Sequence, residues 1–294
     1  MKNTKILPAL ACSGLLSLGS LSAQVIYEPF DYSTGALAGN SGATGLDTTT
    51  GWFSSGSNQQ SVTSPGLTFS GLSTTGNKAE RTSASGGAHS GIALNSTAQT
   101  TLTQSDSSIY FTFLVNTARF SEGNENFTFA FGTDSLDTST GSDGGNQASI
   151  ASAGDGFGFS IDPNASNWDF KGYQSVGGTT SLSGTSFNIG TTAATYLIAG
   201  QIDWVATGND TLTLYNITDV TSASLPASFA AMTADFDQTQ FDTLSFESRQ
   251  IAEIDEIRFG TSWSDVGLAA VPEPSAFALL AGILGLTWVM LRRR

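Results

Sequence analysis

Residues 109–115 read IYFTFLV. Only Thr112 interrupts the apolar run, which is too short for a stable helix and rich in aromatic and β-branched side chains, as a strand covered on both faces should be. The segments around it alternate instead. Phe127, Phe129 and Phe131 alternate with Thr128 and Ala130, and Phe157, Phe159 and Ile161 alternate with Gly156, Gly158 and Ser160. Period two places the aromatic rings on one inner face. Residues 195–205 (TYLIAGQIDWV) form a long strand with an expected bulge at Gly200. Leu212 and Leu214 follow the turn-prone Gly208-Asn209-Asp210, Leu244 and Phe246 mark a further strand, and residues 251–259 the last. These strands predict an all-β chain of two antiparallel sheets packed face to face. Residues 27–100 are rich in Gly, Ser and Thr, with Trp52-Phe53 and Leu67-Thr68-Phe69 as expected short strands. They read as the first strands and long loops of the same sandwich.

Both ends read as addresses. Lys2 and Lys5 precede an apolar stretch over residues 6–21, and Ser20-Leu21-Ser22-Ala23 supplies small residues for cleavage after Ala23 or Ser22. That order is a secretory signal, and Cys12 lies inside it without the sequence a lipid anchor requires. At the other end, residues 275–291 carry no charge over 17 positions, and Arg292, Arg293 and Arg294 follow. The stretch is at the short end of the roughly 17–25 residues needed to cross a bilayer. Its terminal arginines favour the cytoplasmic side.

Between the ends, residues 24–270 suit one domain long enough to bury a core. They contain no cysteine, so disulfides contribute nothing there. They hold six of the 11 basic residues and 24 of the 25 acidic ones, a net charge near −18. Nucleic-acid binding is excluded by the lack of a basic footprint, and docking on anionic lipid by the same charge. The excess acid favours solubility and could attract calcium.

Val271-Pro272-Glu273-Pro274, an apolar helix and a final arginine cluster resemble, in that order, the PEP-CTERM sorting signal. The resemblance covers residues 271–294. It implies recognition by an exosortase, an integral membrane enzyme, and removal of the tail near Pro-Glu-Pro during delivery to the surface or extracellular matrix. It also implies a Gram-negative bacterium that makes an exopolysaccharide. Pro272 and Pro274 keep the motif extended. Over residues 108–266, the ordered segments IYFTFLV, GDGFGFSID, YLIAGQIDW…GNDTLTLYNIT and FDTLSFES…EIDEIRFGTSWSDV are similar to concanavalin-like (LamG-like) jelly rolls. That type holds lectins, adhesion modules and some glycosidases, so it does not assign an activity.

No catalytic set stands out. Glu253 and Asp255 in AEIDEIRF resemble the Glu-x-Asp-x-x-Glu strand of jelly-roll glucanases, but Arg258 stands where the second glutamate belongs. Retaining hydrolysis needs two carboxyls about 5–5.5 Å apart. Alternation turns Glu256 to the opposite face. Asp155, between Gly154 and Gly156, resembles a lectin aspartate that accepts sugar hydroxyls. Trp168 is a candidate ring for a sugar face, with a core or rim position as the plainer reading. Asp162, Asn164, Asn167 and Asp169 are read as one loop with oxygen ligands for Ca2+, and residues 137–146 as a similar loop. Asp and Asn are also ordinary turn residues. His89 is the only histidine and sits in a flexible-looking stretch, SGGAHSG, so no histidine-based triad or zinc site is indicated. The expectation is an exported, non-catalytic binding or structural module. Its partners would be an exosortase and a polysaccharide, and its rival reading is a divergent glycoside hydrolase or lyase.

Replacing Arg292, Arg293 and Arg294 by serine in the native host should leave the tail uncut. Intact mass spectrometry of the exported chain reads this directly. An unchanged mature mass would remove the arginines from the signal.

Overall fold

The computed structural model describes residues 24–56, 60–81, 88–119, 127–133, 154–164, 167–190, 193–248 and 251–269. The expected signal peptide, the stretch 137–146, and Pro272, Glu273, Pro274, Arg292, Arg293 and Arg294 lie outside them. Sixteen strands are described: β1 (Ile26–Glu28), β2 (Gly35–Ala36), β3 (Phe53–Gly56), β4 (Gln60–Thr63), β5 (Lys78–Arg81), β6 (Ala88–Ala93), β7 (Ser108–Arg119) and β8 (Phe127–Gly132) precede β9 (Gly156–Asn164), β10 (Asn167–Val176), β11 (Thr179–Gly190), β12 (Thr195–Asp203), β13 (Asp210–Ile217), β14 (Ala230–Ala234), β15 (Thr243–Ser248) and β16 (Ile251–Gly260). One short helix, α1 (Ser96–Leu102), is capped by the Asn95 side chain, which accepts from the Ala98 amide. No helix among the described residues is long and apolar enough to cross a membrane.

The strands form two antiparallel sheets, as the alternation predicts. A nine-stranded sheet runs β14-β13-β12-β7-β16-β5-β4-β2, with β1 also paired to β16. A seven-stranded sheet runs β11-β10-β9-β8-β15-β6-β3. Between them lies the main core, in which Phe113 meets Phe129 at 4.7 Å and Phe159 at 5.5 Å, ring centre to ring centre. Trp204 is buried in the same core, and its indole donates to the Leu102 carbonyl at 2.7 Å, which ties α1 to the sandwich.

β7 is buried on both faces. Ile109, Phe111, Phe113 and Val115 enter the main core, while Tyr110 and Leu114 enter a second one on the outside of the nine-stranded sheet. That outer core also holds Leu67, Leu72, Trp263, Val266 and Leu268, so the loop after β4 and the turns after β16 seal this face. Leu67-Thr68-Phe69 is therefore a covering loop rather than the expected strand. It gains burial without a ladder partner.

Gly200 is not bulged. β12 pairs residue for residue with β7 from Thr195↔Asn116 to Asp203↔Ser108, and with β13 without a shift. The glycine is required by packing: a Cβ there would lie 2.1 Å from Cζ of Phe111, its direct cross-strand partner. Replacing Gly200 by alanine should destabilise the fold by about 1–3 kcal/mol through overpacking. Chemical denaturation checks this, and a loss below experimental error would mean that the ring moves aside freely.

Candidate functional site

The carboxylate motif of the last strand is built into the fold. Glu253 pairs with Lys78 at 2.9 Å. Asp255 is fully buried and accepts from the Leu67 amide and the Glu256 amide, each at 2.8 Å. Glu256 lies on the same side as Asp255, not the opposite one. Asp255 opposes Leu114 and Arg258 opposes Thr112, so three steps on β16 match two on β7. Glu256 is the extra residue of this β-bulge, with φ at 55°. The bulge resets the alternation, so Ile254 and Ile257 both enter the core. The Glu256 carboxylate accepts from Arg258 at 2.5 Å and from the Thr75 amide at 2.6 Å. The Arg258 guanidinium also bonds the Ser73 carbonyl and lies over the Tyr27 ring. Glu253 and Glu256 are thus ion-paired, and Asp255 is buried and bonded to backbone amides.

The expected calcium loop is a hairpin. β9 and β10 pair up to Asn164↔Asn167, which sets Asp162 directly opposite Asp169. Their oxygens are already used: Lys171 bonds Asp162 at 2.6 Å, and Asn188 donates to Asp169 at 2.9 Å. The Lys171 ammonium already neutralises Asp162. Among the described residues there is no group of three His, Cys, Asp or Glu that could hold a metal ion.

Asp155 and Trp168 are not brought together. Asp155 precedes β9 and Trp168 pairs near the far end of that strand, so about 3.3 Å per residue separates them by more than 20 Å. Trp168 faces the main core and is 6% exposed. Asp155 accepts from the Gly177 amide at 2.6 Å. Gly177 and Gly178, both at positive φ, form the tight turn between β10 and β11, and Asp155 fastens that turn.

His89 belongs to β6, not to a loop. It lies opposite Glu247 in a polar row on the outside of the seven-stranded sheet, which continues through Thr128, Ser160 and Lys171. Burial pushes His89 down to about 4, so its imidazole is neutral at pH 7. Thr128, Ser160, Glu247 and His89 are all buried.

An accessible site lies at the start of the chain, in a segment that the alternation of hydrophobic residues left unmarked. Tyr27, Glu28, Pro29, Asp31 and Tyr32 face residues 41–44 across a cleft of about 270 Å3. Glu28 builds it. Its carboxylate is fully buried and accepts from the Phe30 amide and the Tyr32 hydroxyl, both at 2.7 Å, and from the Trp52 indole at 2.8 Å. These bonds hold Phe30 at φ 50°, a strained conformation for a bulky residue, so that its ring packs on Trp52 and Phe246. Burial pushes the Glu28 carboxyl up, and the three donors oppose that shift. Burial and the Glu28 carboxylate together push the Tyr32 hydroxyl far up, so it stays a donor. The Tyr27 hydroxyl is tied to Thr75 at 2.8 Å. Both tyrosines are half-buried and fixed at their hydroxyl ends, while Asp31 is exposed. A second cleft of about 330 Å3, lined by Ala38 and residues 50–54, includes Trp52. The signal that could have marked the site is YEPFDY: two tyrosines and two carboxylates within six residues.

No family model matches this chain, and no curated protein matches it. Similar solved structures include an endo-β-1,4-glucuronan lyase from the fungus Trichoderma reesei (11% identity, 81% of this chain and 98% of that one, TM-score 0.40). The carbohydrate recognition domain of Emp46p in its potassium-bound form is another (6%, 71% and 88%, 0.41). A third is the CBM2 module of the evolved Dit of Lactobacillus casei BL23 phage J-1 (13%, 81% and 97%, 0.38). At these identities and scores the function has to be argued from the site itself.

Burial, with Glu256 and Glu28 nearby, pushes Asp255 up to about 8 against the pull of the Leu67 amide. A carboxyl raised on folding favours the folded state fully below its ordinary value near 4, and that contribution is lost as pH rises towards 8. Thermal unfolding from pH 4 to 8 should therefore show a falling stability term that Asp255→Asn removes. Parallel slopes for the two proteins would mean that Asp255 titrates normally.

Proposed function

We propose that this chain is an exported, non-catalytic carbohydrate-binding module, and that the Tyr27–Tyr32 cleft is where it holds a polysaccharide. The cleft is the observation that carries the reading. The Tyr32 ring, locked at its hydroxyl, offers rigid apolar surface at little entropic cost, beside a Tyr27 ring that carries Arg258 over one face, and sugar C–H faces pack on such surface. Asp31 offers an acceptor for sugar hydroxyls, and Ser41 and Thr44 add hydroxyls of their own. Among the described residues no basic one lines the cleft, and the chain carries a net charge of −14. A neutral polymer fits these surroundings, whereas a polyuronate would be repelled. The jelly-roll resemblance agrees with such a role. The two terminal signals support delivery to the cell surface or matrix of a Gram-negative bacterium through an exosortase, with the membrane helix as a transient anchor. Engagement of Glu253 by Lys78 and of Asp255 by backbone amides supports the non-catalytic reading over the glycosidase one.

Affinity electrophoresis of the exported chain through gels containing neutral and uronate polysaccharides tests the proposal. Retardation by a neutral polymer is expected, with affinity about tenfold lower for Tyr32→Ala, a change of about 1.4 kcal/mol. Chelator should have no effect. Absence of retardation in every gel would overturn the reading, and shortening of a polymer would favour the hydrolase or lyase alternative.

A further inference from the structure

The carboxyl groups around the Tyr27–Tyr32 cleft are not equivalent. Glu28 is buried and accepts from three donors. Glu256 is paired with Arg258 and accepts from the Thr75 amide. Asp31 differs from both. It is exposed and lines the cleft, and among the described residues no hydrogen bond or ion pair engages its carboxylate.

The turn that carries Asp31 is nonetheless fixed on both sides. Glu28 accepts from the Phe30 amide, and the Tyr32 amide donates to the Phe30 carbonyl at 2.7 Å. Asn77 donates to the Tyr32 carbonyl at 2.8 Å. Gly76 backs the turn so closely that a Cβ there would lie 2.3 Å from the Pro29 carbonyl oxygen and 3.1 Å from the Asp31 nitrogen. Asp31 is therefore an anion on a preorganised backbone, which lowers the entropic cost of pairing it. The rings beside it suit a cation as well. Arg258 already lies over the Tyr27 ring, 5.1 Å from its centre, with its charge met by Glu256. Tyr32 offers a second aromatic face in the same cleft.

We propose that the sugar this cleft prefers carries a free amine: a hexosamine unit whose ammonium pairs with Asp31 while its ring packs on Tyr32. The proposal rests on the carbohydrate reading of the cleft and names the class of sugar. A neutral sugar offers the Asp31 carboxylate only hydroxyls, and a uronate repels it. An ammonium brings three charged N–H donors to it. The net charge of −14 adds a longer-range attraction for a polymer that repeats such amines. Because Asp31 is exposed, salt and water screen the pair, so the preference over a neutral sugar is about fivefold.

Calorimetric titration of the exported chain with three β-1,4-linked hexasaccharides tests this. They differ only at C2, which carries a hydroxyl (glucose), an acetamide (N-acetylglucosamine) or an ammonium (glucosamine). The glucosamine chain should bind about fivefold tighter than the other two. Asp31→Asn should bring all three to one affinity. Asp235→Asn removes the same charge from an exposed site just after β14, at the end of the nine-stranded sheet, and should leave the preference unchanged. Equal affinities in the unaltered chain overturn the amine proposal and leave the carbohydrate reading in place. So does a preference that survives Asp31→Asn, since it would come from net acidity alone. Binding of none of the three also overturns the amine proposal, and the carbohydrate reading then stands or falls on retardation in the polysaccharide gels.

Discussion

The contact of Phe111 with Gly200 fixes the centre of this protein. It sits where β7 and β12 cross-pair, and it is possible only because position 200 has no side chain. With that ring in place, β7 presents one row of residues to the main core and another to the outer core. A strand buried on both faces cannot lie at a surface. The loop after β4 and the turns after β16 must therefore close over the nine-stranded sheet. Once they do, that face is unavailable for binding, and the accessible cleft is displaced to the entry of the chain.

That entry is held by buried carboxyl groups and a guanidinium. β1 and β16 pair, so the first and last described strands meet, and Glu28, Asp255, Glu256 and Arg258 gather at the junction. Buried carboxylates are costly unless they are hydrogen-bonded, and Glu28 and Glu256 each accept from more than one donor. Their bonds go to loops with no regular structure of their own. Glu28 fixes residues 30–32 and Trp52, while Asp255 and Glu256 fix Leu67 and Thr75. These buried polar groups thus specify loop positions that hydrophobic packing alone would leave free. The tyrosine cleft depends on this arrangement.

Much of the architecture was legible because the inner faces repeat. Phe127, Phe129 and Phe131, and Phe157, Phe159 and Ile161, announce strands by period, and IYFTFLV announces its two-sided burial by the absence of one. β11 announces nothing, since its polar residues gain their strand conformation from the ladder with β10. The bulge at Glu256 was equally silent. One extra residue reverses the sense of alternation beyond it, and that residue is a glutamate rather than the glycine that would have flagged a positive φ. His89 and the Asp162–Asp169 hairpin read as loops because glycine, serine, asparagine and aspartate are common to turns and to the polar face of a sheet.

By itself, then, the sequence determined the class of the fold, the strands that carry its core, its net acidity, and the address-like form of both ends. Each is a property of local pattern or of summed composition, which the chain carries whatever its partners in space. Only the tertiary structure decided what the polar residues do. It gave Asp155 to a turn, Trp168 to the core, Asp162 to a lysine and Glu28 to three donors, and it left Tyr27, Asp31 and Tyr32 around a cleft. A side chain's chemistry is set by what lies within a few ångströms of it, and those neighbours come from strands a hundred or more residues away.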